Sequence, residues 1–297
     1  MPVKSRKGLD EDPEAAFFSL LDRRGQDDIS IDLFRTIIWD HYHACARPMA
    51  WRETLDPYCI YVSEVMLQQT QVKRVKMKYP EFVGAFPDFP SLARAPLGEI
   101  LHVWQGMGYN RRAKLMKAAA ERIVSEFGGN LPRDVAALRT LPGLGPATAG
   151  SVAAFAYNIP VVFIETNIRR VFIHFFFRER EDVADSEILP LVERSLDRAH
   201  PREWYYALMD YGAMLKQKVN NPNLRSRAYK RQSSFEGSSR QVRGKILRLI
   251  LDMGPTDRET IHRRIADDKG RGETIIGELI AEGFLEADED GTIRIAD

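Results

Sequence analysis

The ten residues Leu141–Gly150, LPGLGPATAG, carry the densest chemical signal in the chain. Pro142, Gly143 and Gly145 interrupt two apolar helical runs, so a helix starting near Pro146 aims its first N–H groups out of the turn. Such a turn suits a phosphate. No Lys-Ser or Lys-Thr follows the glycines, which excludes a kinase-type phosphate loop, and Thr148 stands where a dinucleotide fingerprint needs its third glycine. What remains is a helix-hairpin-helix. Two carboxyl groups stand out beside it. Glu64 is the only charge in Tyr58–Gln71, where desolvation raises a carboxyl pKa and keeps a proton available. Glu165 follows Val161-Val162 and precedes Thr166-Asn167, at the start of a helix, where an ionised acid is favoured; the plainer alternative is a helix-capping acid. Carboxyls in different protonation states suit a reaction in which one donates a proton and the other opposes growing positive charge.

The elements that must position these groups are helical. Apolar periodicity predicts helices over Ile31–Ala46, Tyr58–Met77, Tyr79–Phe86, Leu97–Gln105, Arg111–Phe127, Asp134–Thr140, Pro146–Tyr157, Asn167–Phe175, Ser186–Ala199 and Pro201–Met214, with no strand alternation among them. Residues 1–28 are charged and poorly patterned and read as a flexible N-terminal segment, with at most a short helix over Pro13–Leu21. Residues 220–239 are polar and read as a linker. Residues 240–297 show three helical stretches and then an alternation over Phe284–Ile295 around Asp290-Gly291, the pattern of a small winged helix. Its third helix opens with Arg271, Glu273 and Thr274, polar side chains of the kind a major-groove reader needs. Glu286, Asp288, Glu289 and Asp290 make the wing acidic, which repels phosphate, so contact with protein stands open beside contact with DNA.

Composition narrows the class without naming it. The 297 residues, 44% hydrophobic, are enough for two or three packed units, and two cysteines, Cys45 and Cys59, exclude a disulfide framework and a four-cysteine metal site. No apolar run reaches the length of a membrane helix, and MPVKSRKGLDEDPE lacks a signal-peptide core, so a cytoplasmic location without membrane contact is expected. The net charge of +1 hides a local bias. Between Lys216 and Arg248 lie Lys216, Lys218, Arg225, Arg227, Lys230, Arg231, Arg240, Arg243, Lys245 and Arg248 against the single acid Glu236. Such a segment neutralises phosphates by counterion release; a solvated basic linker is the bland alternative.

The hairpin with Glu165 after it, together with YVSEVMLQQTQV at Tyr61–Val72 and LHVWQGMGYNRRA at Leu101–Ala113, resembles the helix-hairpin-helix DNA glycosylase superfamily, adenine glycosylase (MutY-type) branch, with matching spacing from about Arg47 to Gly212. The resemblance implies a mainly α, two-lobed fold: a glycosylase domain over 29–219, with a six-helix lobe at about 58–157 and a second lobe from the flanking helices, then the 240–297 winged-helix-like domain. It implies Glu64 as the general acid on the adenine ring and Glu165 as the acid at the sugar. Gln69 and Tyr109 would be wedges that fill the gap left by an extruded base, although a tyrosine among glycines is often a packing residue. Arg47, Met49, Trp51, Arg52 and Tyr206 would line the base pocket, with Trp51 available for stacking or simply core. Gly143, Gly145, Ala147 and Thr148 would hold the phosphate, and the hairpin carbonyls can hold a monovalent cation.

Several positions depart from that pattern. Glu165 replaces the branch's aspartate. Ala147 stands where strand-cutting relatives have the Schiff-base lysine, which implies a monofunctional enzyme that leaves an abasic site. The cluster cysteines of the family correspond to Lys216, Asn223, Ser226 and Gln232, so the expectation is no iron–sulfur cluster and no other metal, with 220–239 as a basic linker replacing the cluster loop. Lys216, Lys218, Arg225, Arg227, Lys230 and Arg231 would then contact phosphate directly. Tyr206 replaces a glutamate or glutamine facing adenine, and the C-terminal region is too short for the usual 8-oxoguanine reader. The expected function is removal of adenine mispaired with 8-oxoguanine or guanine in double-stranded DNA, by a monomer. Removal of thymine, uracil or another altered base, and catalytically silent binding of damaged DNA, stay open beside it.

Overall fold

Helix boundaries follow local chemistry in the computed structural model, which describes residues 12–232, 234–265 and 269–296. In chain order the helices are α1 (Pro13–Arg24), α2 (Asp28–Cys45), α3 (Pro57–Leu67), α4 (Val72–Ala85), α5 (Phe89–Arg94), α6 (Leu97–Trp104), α7 (Arg111–Phe127), α8 (Val135–Thr140), α9 (Pro146–Tyr157), α10 (Thr166–Phe176), α11 (Asp185–Ser195), α12 (Pro201–Lys218), α13 (Ser239–Met253), α14 (Arg258–Ile265) and α15 (Lys269–Ala281). Asp27, Asp134 and Ser238 cap α2, α8 and α13 by accepting a backbone N–H. The antiparallel strands β1 (Leu285–Ala287) and β2 (Ile293–Ile295) pair with Leu285 opposite Ile295.

The chain divides into two units. The first joins the described residues up to Pro48 with Asn158–Lys230. Its core is aromatic: the Phe17 ring lies 5.0 Å from Phe175 and 5.4 Å from Phe176, and Phe34 lies 5.3 Å from Phe172. Phe17 belongs to α1, which corrects the expectation of a flexible segment as far as residue 28. Its Glu14 carboxylate also accepts from Tyr211 and lies 2.9 Å from His174 Nε2, so α1 is tied to α10 and α12. The part of that expectation covering residues 1–11 lies outside the described residues.

The second unit joins Met49–Tyr157 with the described residues from Arg231 onward. At its centre α3 buries Ile60, Tyr61, Val62, Val65 and Met66 and packs on α9, α4 and α7. The helix expected over Tyr58–Met77 is broken between Leu67 and Val72, where Gln69 takes φ +53°. Neither glycine nor proline marks that break. The boundary expected between Met77 and Tyr79 does not form: α4 runs through it and through Pro80, with Val75, Tyr79 and Phe82 buried. Three C-terminal helices and the hairpin complete the chain, and the described residues from Arg231 onward fall in the same unit as α3–α9, seven helices where six were expected. Among the described residues no helix is long and apolar enough to cross a membrane.

Candidate active site and nucleic-acid interface

The hairpin turn between α8 and α9 forms as its glycines require. Gly143 has φ +83°, and a Cβ there would lie 3.1 Å from Leu115 Cβ, so both the backbone angle and the space select glycine. Gly145 O accepts from Ala149 N at 2.9 Å as α9 begins. Ala147 and Thr148 occupy its first turn, which presents N–H groups without intrahelical acceptors. Gln68 Nε2 donates to Thr148 Oγ1 at 3.1 Å and to Gly143 O at 3.4 Å, tying the hairpin to the α3–α4 turn.

That turn presents Gln69, and the α6–α7 turn presents Tyr109 at φ +49°. Left-handed backbone is costly for side chains other than glycine and collects at functional sites. A residue unremarked in the sequence holds both turns. Arg112, 8% exposed, donates Nη1 to Val65 O and Met66 O at 2.8 Å each; its Nη2 reaches Thr70 Oγ1 at 2.8 Å and Gly108 O at 3.1 Å. Val65 and Met66 directly follow Glu64 on α3, so one guanidinium fixes the Glu64 helix and the turns that carry Gln69 and Tyr109. Burial pushes the Arg112 pKa down to about 10, which leaves it charged at neutral pH. The only early signal was an arginine just after a glycine-rich turn, which composition alone cannot separate from a surface charge. Glu64 itself is half-buried amid the apolar residues of α3.

Glu165 belongs to the other unit and is the N-cap of α10. Its Oε1 accepts from Asn167 N at 2.7 Å and Ile168 N at 2.8 Å, and Oε2 accepts from Asn167 Nδ2 at 3.2 Å. The helix start was expected to favour the ionised form. Burial instead moves the pKa upward, outweighing the two backbone N–H bonds and the positive charges of Arg170 and Arg169. The surrounding frame is dense. Arg170, 3% exposed, donates Nη1 to Asn167 Oδ1 and Gly212 O, at 2.7 Å each, and Nε to Asn221 Oδ1 at 3.2 Å. A Cβ on Gly212 would lie 2.5 Å from Asn167 O, so α12 approaches this helix start as closely as glycine permits.

Of the residues expected to line a base pocket, two lie in the first unit and three in the second. Arg47 lies in the first, where its N and Nε donate to the buried Asp210 carboxylate at 2.9 and 2.6 Å. Tyr206, on α12 of the same unit, is 5% exposed. Met49 and Trp51 lie in the second unit and are buried; Trp51 is 3% exposed and packs edge-on against Tyr79 at 5.5 Å. The expected stacking ring of Trp51 is therefore a core ring, held by burial of its large apolar area. Arg52 is half-buried in the 3₁₀ turn Ala50–Arg52.

The segment expected as a basic linker is structured up to Lys230 and belongs to the first unit. Asn223 donates Nδ2 to Thr166 O at 2.9 Å, next to Glu165. Arg225 donates to Phe177 O at 3.0 Å and to Arg178 O, closing the C-terminal end of α10, and Arg227 pairs with Asp182 at 2.6 Å. These contacts correct the expectation for Arg225 and Arg227: both guanidiniums are spent on carbonyl and carboxylate groups of their own unit. Lys216, Lys218, Lys230 and Arg231 are exposed. At the positions of the family's cluster ligands, Lys216, Asn223, Ser226 and Gln232 offer no thiolate, and Asn223 and Ser226 are buried with their own hydrogen bonds, so these residues do not fit a four-iron cluster.

Relatives accord with this geometry. A model of the HhH-GPD superfamily of base excision DNA repair proteins matches residues 62–191, which contain Glu64, both wedge turns, the hairpin and Glu165. An adenine DNA glycosylase of Mycolicibacterium smegmatis is 31% identical over 287 residues, covering 90% of this chain and 97% of that protein. Another, of Buchnera aphidicola, is 32% identical over 188 residues, covering 63% of this chain; the chain spans 54% of that relative's length. Among solved structures, a thermostable thymine-DNA glycosylase shares the fold at a TM-score of 0.58 and 24% identity, covering 65% of this chain and 90% of its own. With residues 62–191 matching the superfamily model and 90% of its length aligned with a relative at 31% identity, the chain belongs to the HhH-GPD superfamily of base excision DNA repair proteins, in its adenine DNA glycosylase family.

Proposed function

We propose that this chain is a monofunctional DNA glycosylase that extrudes adenine mispaired with 8-oxoguanine or guanine and hydrolyses its N-glycosidic bond. The observation that carries the reading is the grip of Arg112 on the Glu64 helix and on both left-handed turns, because it joins a proton donor to two side chains aimed by strained backbone. Extrusion costs a few kcal/mol, which Gln69 and Tyr109 offset by filling the vacated space. Glu64 protonates the departing base. The C1′–N bond breaks, Glu165 opposes the positive charge on the sugar, and water adds at C1′ to leave an abasic site. Ala147 supplies no amine, so the strand stays intact. The hairpin holds backbone phosphate, its carbonyls would hold a monovalent cation if one binds, and Lys216, Lys218, Lys230 and Arg231 add charge. The enzyme acts as a cytoplasmic monomer and needs no iron–sulfur cluster.

Single-turnover incubation with duplexes pairing adenine, thymine, uracil or hypoxanthine with guanine or 8-oxoguanine, read before and after alkali, tests this. Adenine should be released opposite 8-oxoguanine, strands should break only after alkali, and Glu64→Gln should slow release about 10²- to 10⁴-fold. Release of a pyrimidine instead would reassign the base, and binding without release would remove the enzyme reading.

A further inference from the structure

Gln105, Tyr109 and Lys114 follow one another from the end of α6, through the wedge turn, into the first turn of α7, and the C-terminal module holds all three. Gln105 Nε2 donates to Asp252 Oδ1 at 3.4 Å. The Tyr109 hydroxyl accepts from Arg240 Nη1 at 2.7 Å and from Gln232 Nε2. Lys114 Nζ donates to Gly283 O at 2.7 Å and to Glu282 O, and lies 5.4 Å from the centre of the Phe284 ring. Arg240 opens α13 and Asp252 ends it, so the helix is fastened to the lobe at both ends, on either side of the turn that carries Tyr109.

The side chains expected to read DNA from this module are engaged within it. Arg271 donates to Gly237 O at 2.7 Å, and Glu273 is shared by Arg258 and by His262, whose Nε2 is 3.1 Å away. What the module presents to the lobe is α13 and the turn between α15 and β1. There the Tyr109 ring has two guanidinium carbons at 5.8 Å from its centre, those of Arg112 and Arg240. Arg112 holds the backbone of the turn, and Arg240 holds the far end of the ring.

We propose that the C-terminal module is part of the base-extrusion machinery, with Arg240 as a positioning residue that holds the Tyr109 phenol in the direction needed for insertion into the duplex. The inference rests on the glycosylase reading above. A ring on a left-handed backbone directly after Gly108 would otherwise sample several rotamers, and ordering it would oppose insertion. A charged donor to its hydroxyl, with a cation near its face, fixes that direction before DNA arrives. The module thereby acts through the wedge and not through a recognition helix.

The test uses the full chain with Arg240→Ala, Tyr109→Phe, the double variant and Arg240→Lys. Extrusion is followed by 2-aminopurine fluorescence beside the target adenine, and release by single turnover on two substrates: adenine paired with 8-oxoguanine, and adenine facing an abasic site, where little extrusion work is needed. Arg240→Ala should slow extrusion and release from the paired substrate about tenfold, the loss expected for one charged hydrogen bond, and should slow the unpaired substrate much less. Tyr109→Phe should match it, the double variant should be no worse than either single one, and Arg240→Lys should recover part of the rate. Equal slowing of both substrates, additive losses, or no loss in Arg240→Ala would each overturn the inference while leaving the glycosylase reading intact. A wild-type protein that releases no base from any duplex would overturn that reading and the inference with it.

Discussion

Glu165 shows folding and chemistry competing for one carboxylate. Its Oε1 caps α10 while burial raises its pKa, so the folded protein binds this proton more tightly than the unfolded chain does. A raised carboxyl stabilises the fold below the unfolded value and loses that contribution as pH rises through the folded pKa. In the catalytic reading the ionised form is the active one, so single-turnover release should fall with decreasing pH through an inflection above 4.5, the ordinary glutamate value. Glu165→Gln should flatten this limb and lower the plateau about 10²- to 10³-fold, the usual cost of losing one charge-stabilising group. An inflection at or below 4.5 in the wild-type profile would contradict the assignment. The neutral amide should also shrink the difference in thermal midpoint between acid and neutral pH.

At the scale of elements, the site depends on turns more than on helices. The α3–α4 and α6–α7 turns each hold one side chain, Gln69 and Tyr109, at a backbone angle it does not favour, and Arg112 supplies the compensating hydrogen bonds. Truncating it orphans several buried carbonyls at about 1–3 kcal/mol each. Arg112→Ala should therefore lower the thermal midpoint by about 5 °C or more and abolish measurable extrusion. Arg112→Lys keeps the charge but cannot bridge both turns, so it should recover stability better than extrusion. Calorimetry and 2-aminopurine fluorescence on the same samples separate the two effects, and a normally extruding Arg112→Ala would sever the link between the clamp and the wedges.

In the proposed reading, contacts within the protein do the bracing that an iron–sulfur cluster would otherwise do. Asn221 and Asn223 lock onto Arg170 and Thr166 at the start of α10, and Arg225 closes its other end, so 221–225 stabilise the helix that presents Glu165. Prolonged treatment with an iron chelator or an oxidant should leave base release and the thermal midpoint unchanged. Asn223→Ala should lower both, at about 1 kcal/mol for the lost bond. Loss of activity on chelation, with iron in the purified protein, would contradict this account.

Features that depend on near neighbours in the chain were legible from the sequence. The hairpin glycines, the apolar run around Glu64, the caps and the C-terminal hairpin each follow from a few adjacent residues, because backbone angles and helix ends are local matters. The turn that splits the helix expected over Tyr58–Met77 was less so, since Gln68–Gln71 hold neither glycine nor proline, as was the continuity of α4 past Met77. The burial of Trp51, the reach of Arg112 to Val65 O, the anchoring of Asn223 beside Glu165 and the grip of Arg240 on Tyr109 were decided by the tertiary structure. Each joins residues tens of positions apart or more. Periodicity states which face of a helix is buried, but which partner lies against it follows only once the elements pack, and there long polar side chains either reach solvent or take up the backbone groups that packing leaves unsatisfied.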